Sequence, residues 1–291
     1  MALYIRAWWW YNDGNIDTGG VFMEYGINID FFRSKIGIEK AAPLIARAGF
    51  TKLDYTPACG SETWENELRE AQKIFEANGL CSHQTHAPFN RYGKHGNHFL
   101  TYLDRAAEAT ERLGAKFMVI HGDEFDFENL TYSTERALAY NHDLFLPYVE
   151  RAARNGYKIA FETVFEDWDR PRFSAKAEDL LALIRSFDSE SAVCCWDFGH
   201  ANIAFKKQAP EHIRTFGSLI QCTHLHDNTG RDSHQLPLTG VIDWKMTMDA
   251  LRDAGYNGVL SVEYSHGNMP EYLAGEFIDL TYKTTKHVWE M

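Results

Sequence analysis

The sequence predicts an α/β fold: a single-domain (β/α)8 TIM barrel behind a short aromatic N-terminal extension. Two observations predict it. Eight apolar runs of strand length recur along the chain with helical patterns between them. Strands alternating with crossover helices give a parallel sheet, and eight of them close a barrel. At least six of those runs end in His, Asp or Glu, and the working residues of such barrels sit at the C-terminal ends of strands.

In chain order, residues 1–20 form the extension. Leu3 to Tyr11 is strand-like and aromatic, with Trp8, Trp9 and Trp10 in a row, and Asn12-Asp13-Gly14 marks a turn. It reads as an arm packed on the barrel, or alternatively as a pocket wall or a subunit contact. Residues 21–291 make the barrel. Its predicted strands are Phe22–Ile29, Thr51–Tyr55, Cys81–His86, Lys116–His121, Lys158–Thr163, Ala192–Asp197, Ile220–His226 and Val259–Tyr264. Helical spacing appears over Phe99–Leu113, Arg136–Arg154, Ala177–Phe187 and Trp244–Ala254. Ala48-Gly49-Phe50 and Ala254-Gly255-Tyr256 each place a glycine where a helix stops before a strand. No linker or low-complexity stretch divides the chain.

Composition narrows the function. With 291 residues, 45% hydrophobic and 14% aromatic, the chain buries a large core. No apolar run approaches the roughly 18 residues of a membrane helix, and no signal-peptide pattern opens the sequence. The five cysteines are odd in number and form no CxxC pair, as in reduced core residues of a cytoplasmic protein. A net charge of −12 weighs against a nucleic-acid partner, which calls for clustered Lys and Arg.

The densest chemistry lies in Thr223-His224-Leu225-His226-Asp227-Asn228, followed by Asp232-Ser233-His234. Strand side chains alternate faces, so His224 and His226 point the same way. Imidazole and carboxylate are ligands for zinc, manganese or cobalt. The other strand ends carry Asp54, His86, His121, Glu162, Asp197 and Glu263, with His200 three residues beyond Asp197. A lone His at a strand end is more often structural than a ligand. Recurrence changes that weighting, because carboxylates converging on one barrel mouth repel one another without a cation between them.

His-Ala-Pro (86–88), Ile-His-Gly (120–122), Phe-Glu-Thr (161–163), Asp-x-Gly-His (197–200), His-x-x-Asp (224–227), Asp-x-His (232–234) and Val-Glu (262–263) together resemble the xylose isomerase-like TIM-barrel superfamily over roughly residues 21–285. That superfamily includes ketose 3-epimerases, inosose dehydratases, hydroxypyruvate isomerases and the endonuclease IV class. The resemblance to the 3-epimerases implies one divalent metal ion (manganese, cobalt, magnesium or zinc) on Glu162, Asp197, His224 and Glu263, with His226 as the alternative histidine. It implies Glu162 and Glu263 as the acid/base pair and His200 as a contact to substrate oxygen. The substrate class implied is a small ketose or related polyol ketone.

Two positions depart from the 3-epimerase pattern. Where those enzymes have a substrate-binding Glu six residues after the metal Glu, this chain has Trp168, with Glu166 nearby. Where they have an Arg six residues after the metal His, it has Gly230, with Arg231 beside it. Trp168, Glu166 and Arg231 are therefore the substrate-binding candidates. His86, His121, His226, Asp232 and His234 resemble the added ligands of the endonuclease IV class, which binds three zinc ions; they stand as further ligands or as residues that orient ligands. An inosose-type dehydratase and a zinc apurinic endonuclease are the alternative activities. Related barrels assemble as dimers or tetramers, which sets the expectation of a homo-oligomer without a membrane partner.

Overall fold

The structure is a computed structural model that describes residues 23–90, 93–122, 124–125, 131–166, 171–265 and 267–291. The N-terminal extension and Trp168 lie outside the described residues. The strands are β1 (Glu24–Asn28), β2 (Lys52–Tyr55), β3 (Cys81–His86), β4 (Phe117–His121), β5 (Lys158–Glu162), β6 (Ala192–Asp197), β7 (Ile220–His224) and β8 (Val259–Val262). The helices are α1 (Asp30–Ile36), α2 (Ile38–Ala48), α3 (Trp64–Ala77), α4 (Phe99–Leu113), α5 (Thr134–Asn155), α6 (Ala177–Ser186), α7 (Phe198–Ala204), α8 (Ala209–Phe216), α9 (Trp244–Asp253) and α10 (Ala274–Glu290). The strands pair in parallel in the order β7-β6-β5-β4-β3-β2-β1-β8. Closure between β7 and β8 rests on a bridge from Leu225 to Val262, with Leu225 N donating to Ser261 O (2.8 Å) and Glu263 N donating to Leu225 O (3.0 Å). The architecture is the single-domain (β/α)8 barrel that the sequence predicts.

Local signals account for the element ends. Gly49 (φ 112°) and Gly255 (φ 76°) take the left-handed conformation after α2 and α9, which costs a glycine nothing sterically. Helix α5 starts two residues before its apolar pattern because the Ser133 hydroxyl accepts from Arg136 N (3.2 Å). The regular ladders of β7 and β8 stop at His224 and Val262, short of the predicted ends. His226 and Glu263 are still carried on backbone held by the closure bonds.

The period-2 rule positions the site. Phe117, Val119, Ala160, Val193, Cys195 and Cys222 form a separate buried apolar cluster. They share their faces with His121 on β4, Glu162 on β5, Asp197 on β6 and His224 on β7. The same faces that plug the barrel with small apolar side chains therefore present polar ones at the C-terminal mouth. Alternate residues point to the helices. Trp196, 0% exposed, packs edge-on against Phe216 on α8 (5.5 Å between ring centroids). It is core.

Candidate active site

Glu162, Asp197, His224 and Glu263 each offer one ligand atom within 4.8 Å of the others. The shared hub is His224 Nδ1, which lies 3.2 Å from Glu162 Oε1, 3.5 Å from Glu263 Oε2 and 3.9 Å from Asp197 Oδ2. Its Nε2 is 3.1 Å from Asp54 Oδ2 but outside hydrogen-bond geometry. Asp54 in turn accepts from Asn28 Nδ2 at 3.0 Å, and the same amide reaches Glu263 Oε1 at 3.5 Å. His224 thus stands between an inner group of carboxylates and an outer carboxylate beside its other ring nitrogen. His226 faces inward too, but its Nε2 meets Asp197 Oδ1 at 3.0 Å, and it belongs to a second group with His200, Asp232 and His234.

Backbone acceptors set several tautomers. A carbonyl accepts only, so the proton of His86 lies on Nδ1, donating to Ala87 O (2.8 Å). That leaves the His86 Nε2 lone pair 3.0 Å from Glu162 Oε2. His234 Nδ1 likewise donates to Glu263 O (3.0 Å), leaving Nε2 3.2 Å from Asp232 Oδ1. Two acceptors at such distances need a proton or a cation between them. His121 is wired the other way. Arg172 is a donor only, and its Nη2 lies 3.3 Å from His121 Nδ1, so the His121 proton sits on Nε2, 3.1 Å from Glu162 Oε2. One glutamate oxygen therefore meets a proton donor in His121 and, in His86, a nitrogen that faces it as a donor only once it takes up a second proton.

The electrostatics follow from this crowding. At an effective dielectric of about 20, two carboxylates roughly 4 Å apart repel by about 4 kcal/mol, so the cluster needs positive charge. Burial pushes the Glu162 carboxyl up, but His224, His121 and His200 outweigh it and hold the carboxyl well below the usual range. Burial likewise raises Asp197, and His200 and His226 bring it below its ordinary value. Burial lowers the imidazoles of His200 and His224, while Asp197, Asp232 and Glu162 around the first, and Glu263, Glu162 and Asp54 around the second, drive both well above theirs. Burial opposes protonation of His86 and His234 as well; Glu162 in one case and Glu263 with Asp232 in the other lift them to about 9. In the absence of a metal the histidines carry the compensating charge. The donor set of Glu162, Asp197, His224 and Glu263, carboxylate oxygens with an imidazole nitrogen, fits a divalent cation.

The loop after β7 is held by one carboxylate. Asp227 is 1% exposed and accepts from Asn228 N (2.9 Å), Leu238 N (3.1 Å), Ile242 N (3.3 Å) and Trp244 Nε1 (2.9 Å). It ties the segment that carries Asp232 and His234 to the start of α9. Asp227→Ala leaves these donors without an acceptor and is expected to cost about 3–5 kcal/mol; a denaturant midpoint unchanged from the parent would contradict this.

Glu166 and Arg231 are exposed and line a cleft that adjoins the mouth at Asp232. His200 lies at its inner end, with Nε2 3.6 Å from Asp232 Oδ1 and its ring centroid 5.2 Å from that of Phe165. The sequence reading missed Arg172, which is buried; only its position downstream of Glu162 hinted at it. It also assigned no site role to Asn28, whose signal was a polar residue at the end of an otherwise apolar strand.

A parallel (β/α)8 barrel whose strand ends converge on a buried carboxylate–imidazole cluster defines a class in which chemistry is done at the C-terminal mouth. The chain belongs to the xylose isomerase-like TIM barrel family, whose model matches residues 43–284. It is 25% identical over 266 residues to the uncharacterized protein y4fM of Sinorhizobium fredii, covering 78% of this chain and 81% of that one. Among solved structures, D-psicose 3-epimerase in the presence of D-fructose superposes with a TM-score of 0.73 at 15% identity, covering 92% of this chain and 100% of that one. IolI with a bound zinc atom superposes at 0.72 with 20% identity, covering 91% and 98%. At these identities the superpositions speak for the fold.

Proposed function

We propose that this chain is a divalent-metal-dependent sugar isomerase or epimerase acting on a small ketose or related polyol ketone through a cis-enediolate. The observation that carries the reading is the convergence of Glu162 and Glu263, from strands separated by two others around the barrel, on His224 Nδ1 at 3.2 and 3.5 Å. Glu162, Asp197, His224 and Glu263 would hold the cation. When bound, it supplies Lewis acidity that polarises a ketone oxygen and its neighbouring hydroxyl.

The remaining work falls to this chain's own side chains. One glutamate takes the proton from the carbon beside the carbonyl, and the other returns one to the opposite face, which inverts that carbon. Return by a single glutamate to the neighbouring carbon gives aldose–ketose isomerisation instead. His200, protonated beside Asp197 and Asp232, faces the substrate oxygens and neutralises charge that develops there. His121, with its proton on Nε2, fixes the free oxygen of Glu162 and leaves Oε1 for the centre. Asn28 and Asp54 steady Glu263 and His224.

The test is incubation of metal-loaded protein with a panel of ketoses in deuterated water. Deuterium at the carbon next to the carbonyl, together with a new epimer or aldose, is the expected result. An unsaturated product without that exchange would move the assignment to a dehydratase. Elemental analysis is expected to return at least one divalent ion per chain, and His121→Gln is expected to leave that number unchanged, because glutamine still donates to Glu162. A lower metal content in His121→Gln would make His121 a ligand.

A second reading concerns the outer group. His200, His226, Asp232 and His234 also bring ligand atoms within 4.8 Å of one another. Two ions per chain, falling to one in Asp232→Asn, would assign them a second cation. One ion in both proteins would leave them to the substrate.

A further inference from the structure

The cleft beside the mouth has a volume of about 1070 Å³, above the roughly 300–1,000 Å³ of small-molecule pockets and far more than one sugar ring fills. Three cations line it: Lys206 and Lys207, just after α7, and Arg231, in the loop after β7. All three are exposed, and among the described residues no carboxylate forms an ion pair with any of them. The lining carboxylates are Glu166 and Asp232. Asp232 is already engaged by His234 Nε2 at 3.2 Å and His200 Nε2 at 3.6 Å. In a chain of net charge −12, this leaves a local excess of positive charge beside the site.

Lys206, with a left-handed φ of 52°, directly follows the Phe205 cap of α7, where the chain turns along the cleft that both lysines line. The geometry orders the cleft as well. Its inner end is Asp232, in contact with His200 and His234, and Phe165 against the His200 ring forms one wall.

We infer that this cleft is an anion subsite: Lys206, Lys207 and Arg231 bind a phosphate or carboxylate group at the far end of a substrate whose reacting carbons lie between Glu162 and Glu263. The inference rests on the enediolate reading for the position of those carbons and adds the substrate class, a ketose that carries a negative charge. Arg231 lines the cleft next to Asp232, at the end nearer the mouth. Its planar guanidinium matches phosphate and carboxylate through paired N–H donors, and the lysines contribute compact charge.

The experiment is calorimetric titration of the metal-loaded full chain at low salt with D-fructose, D-fructose 6-phosphate and D-fructuronate. At least one anionic probe is expected to bind tenfold or more tightly than D-fructose. Preference for the 6-phosphate identifies a phosphate, and preference for the uronate identifies a carboxylate. The advantage is expected to shrink at about 1 M salt, where screening acts over roughly 3 Å. It is expected to vanish in the triple variant K206Q/K207Q/R231Q, which should bind the three probes alike and melt as the parent does. Equal affinities in the parent, binding of none of the probes, or a preference that survives in the triple variant overturns the subsite. Deuterium exchange is read separately. Anion-selective binding without exchange removes the enediolate chemistry and keeps the subsite, whereas exchange without anion preference does the reverse.

Discussion

A Glu162→Gln variant is expected to lose at least a thousandfold in turnover, and Glu263→Gln about as much, while both retain the barrel. General acid/base groups are worth roughly 10²–10⁴ each, and each of these glutamates is also proposed to hold the cation. The two substitutions differ in their surroundings. Glu162 is 1% exposed and sits among His86, His121, His200 and His224. An amide there cannot accept on both atoms, so it leaves histidines facing an N–H donor, and metal content should fall with activity. Glu263 is 13% exposed and is approached by His224, His234 and Asn28, so its replacement should spare more of the metal.

The separation of the two roles comes from isotope exchange. With Glu263 replaced and the cation retained, Glu162 still reaches one face of the substrate. One epimer should then exchange its proton with deuterated water without being converted to the other. Interconversion of epimers at a parental rate in either variant would sink the two-glutamate mechanism.

The barrel was legible because two periodicities coincide in this sequence. Apolar runs mark the strands, and the same period-2 faces that carry Val119, Ala160, Cys195 and Cys222 carry His121, Glu162, Asp197 and His224 at their ends. A polar residue at the end of an apolar strand is visible without any structure. Distances between strands are not. The spacing of His224 and His226 put both on one face and left them as alternatives. The structure gives them different neighbours, with Nδ1 of the first against Glu162 and Glu263 and Nε2 of the second against Asp197.

Asp227 shows the opposite limit. Its type and its place after His224 suit a ligand, yet four donors brought from as far as Trp244 occupy its oxygens. Arg172 was invisible for a related reason. It acts through His121, which is 51 residues earlier in the chain, and no local pattern announces a side chain that works by fixing another's tautomer.

The metal-free protein is expected to lose stability as the pH rises from about 6.5 to about 9, and bound metal is expected to remove that loss. The sign follows from the histidines. His86 and His234 have ordinary values of 6.5 and stand at about 9 in the folded chain. A folded-state value above the unfolded one means that the native state binds the proton more tightly. The stabilisation is then complete below 6.5 and disappears as the pH passes through about 9. At about 1.4 kcal/mol per pH unit, the two groups together are worth several kcal/mol, or on the order of 10 °C in melting temperature. His83 does not compete in this window. Burial lowers it to about 3, so it weakens the fold only below 6.5.

A divalent cation supplies the same positive charge without protons, so its binding displaces them and its affinity climbs over the same interval. Thermal melts at pH 6, 7, 8 and 9, with chelator and with added metal, should therefore diverge: the chelated protein falls and the loaded one stays level. His234→Gln should flatten part of the chelated curve, because glutamine carries no titrating charge. A chelated protein as stable at pH 9 as at pH 6 would mean that the carboxylates of this mouth are not balanced by imidazolium, and the case for a cation in its place would lose its electrostatic basis.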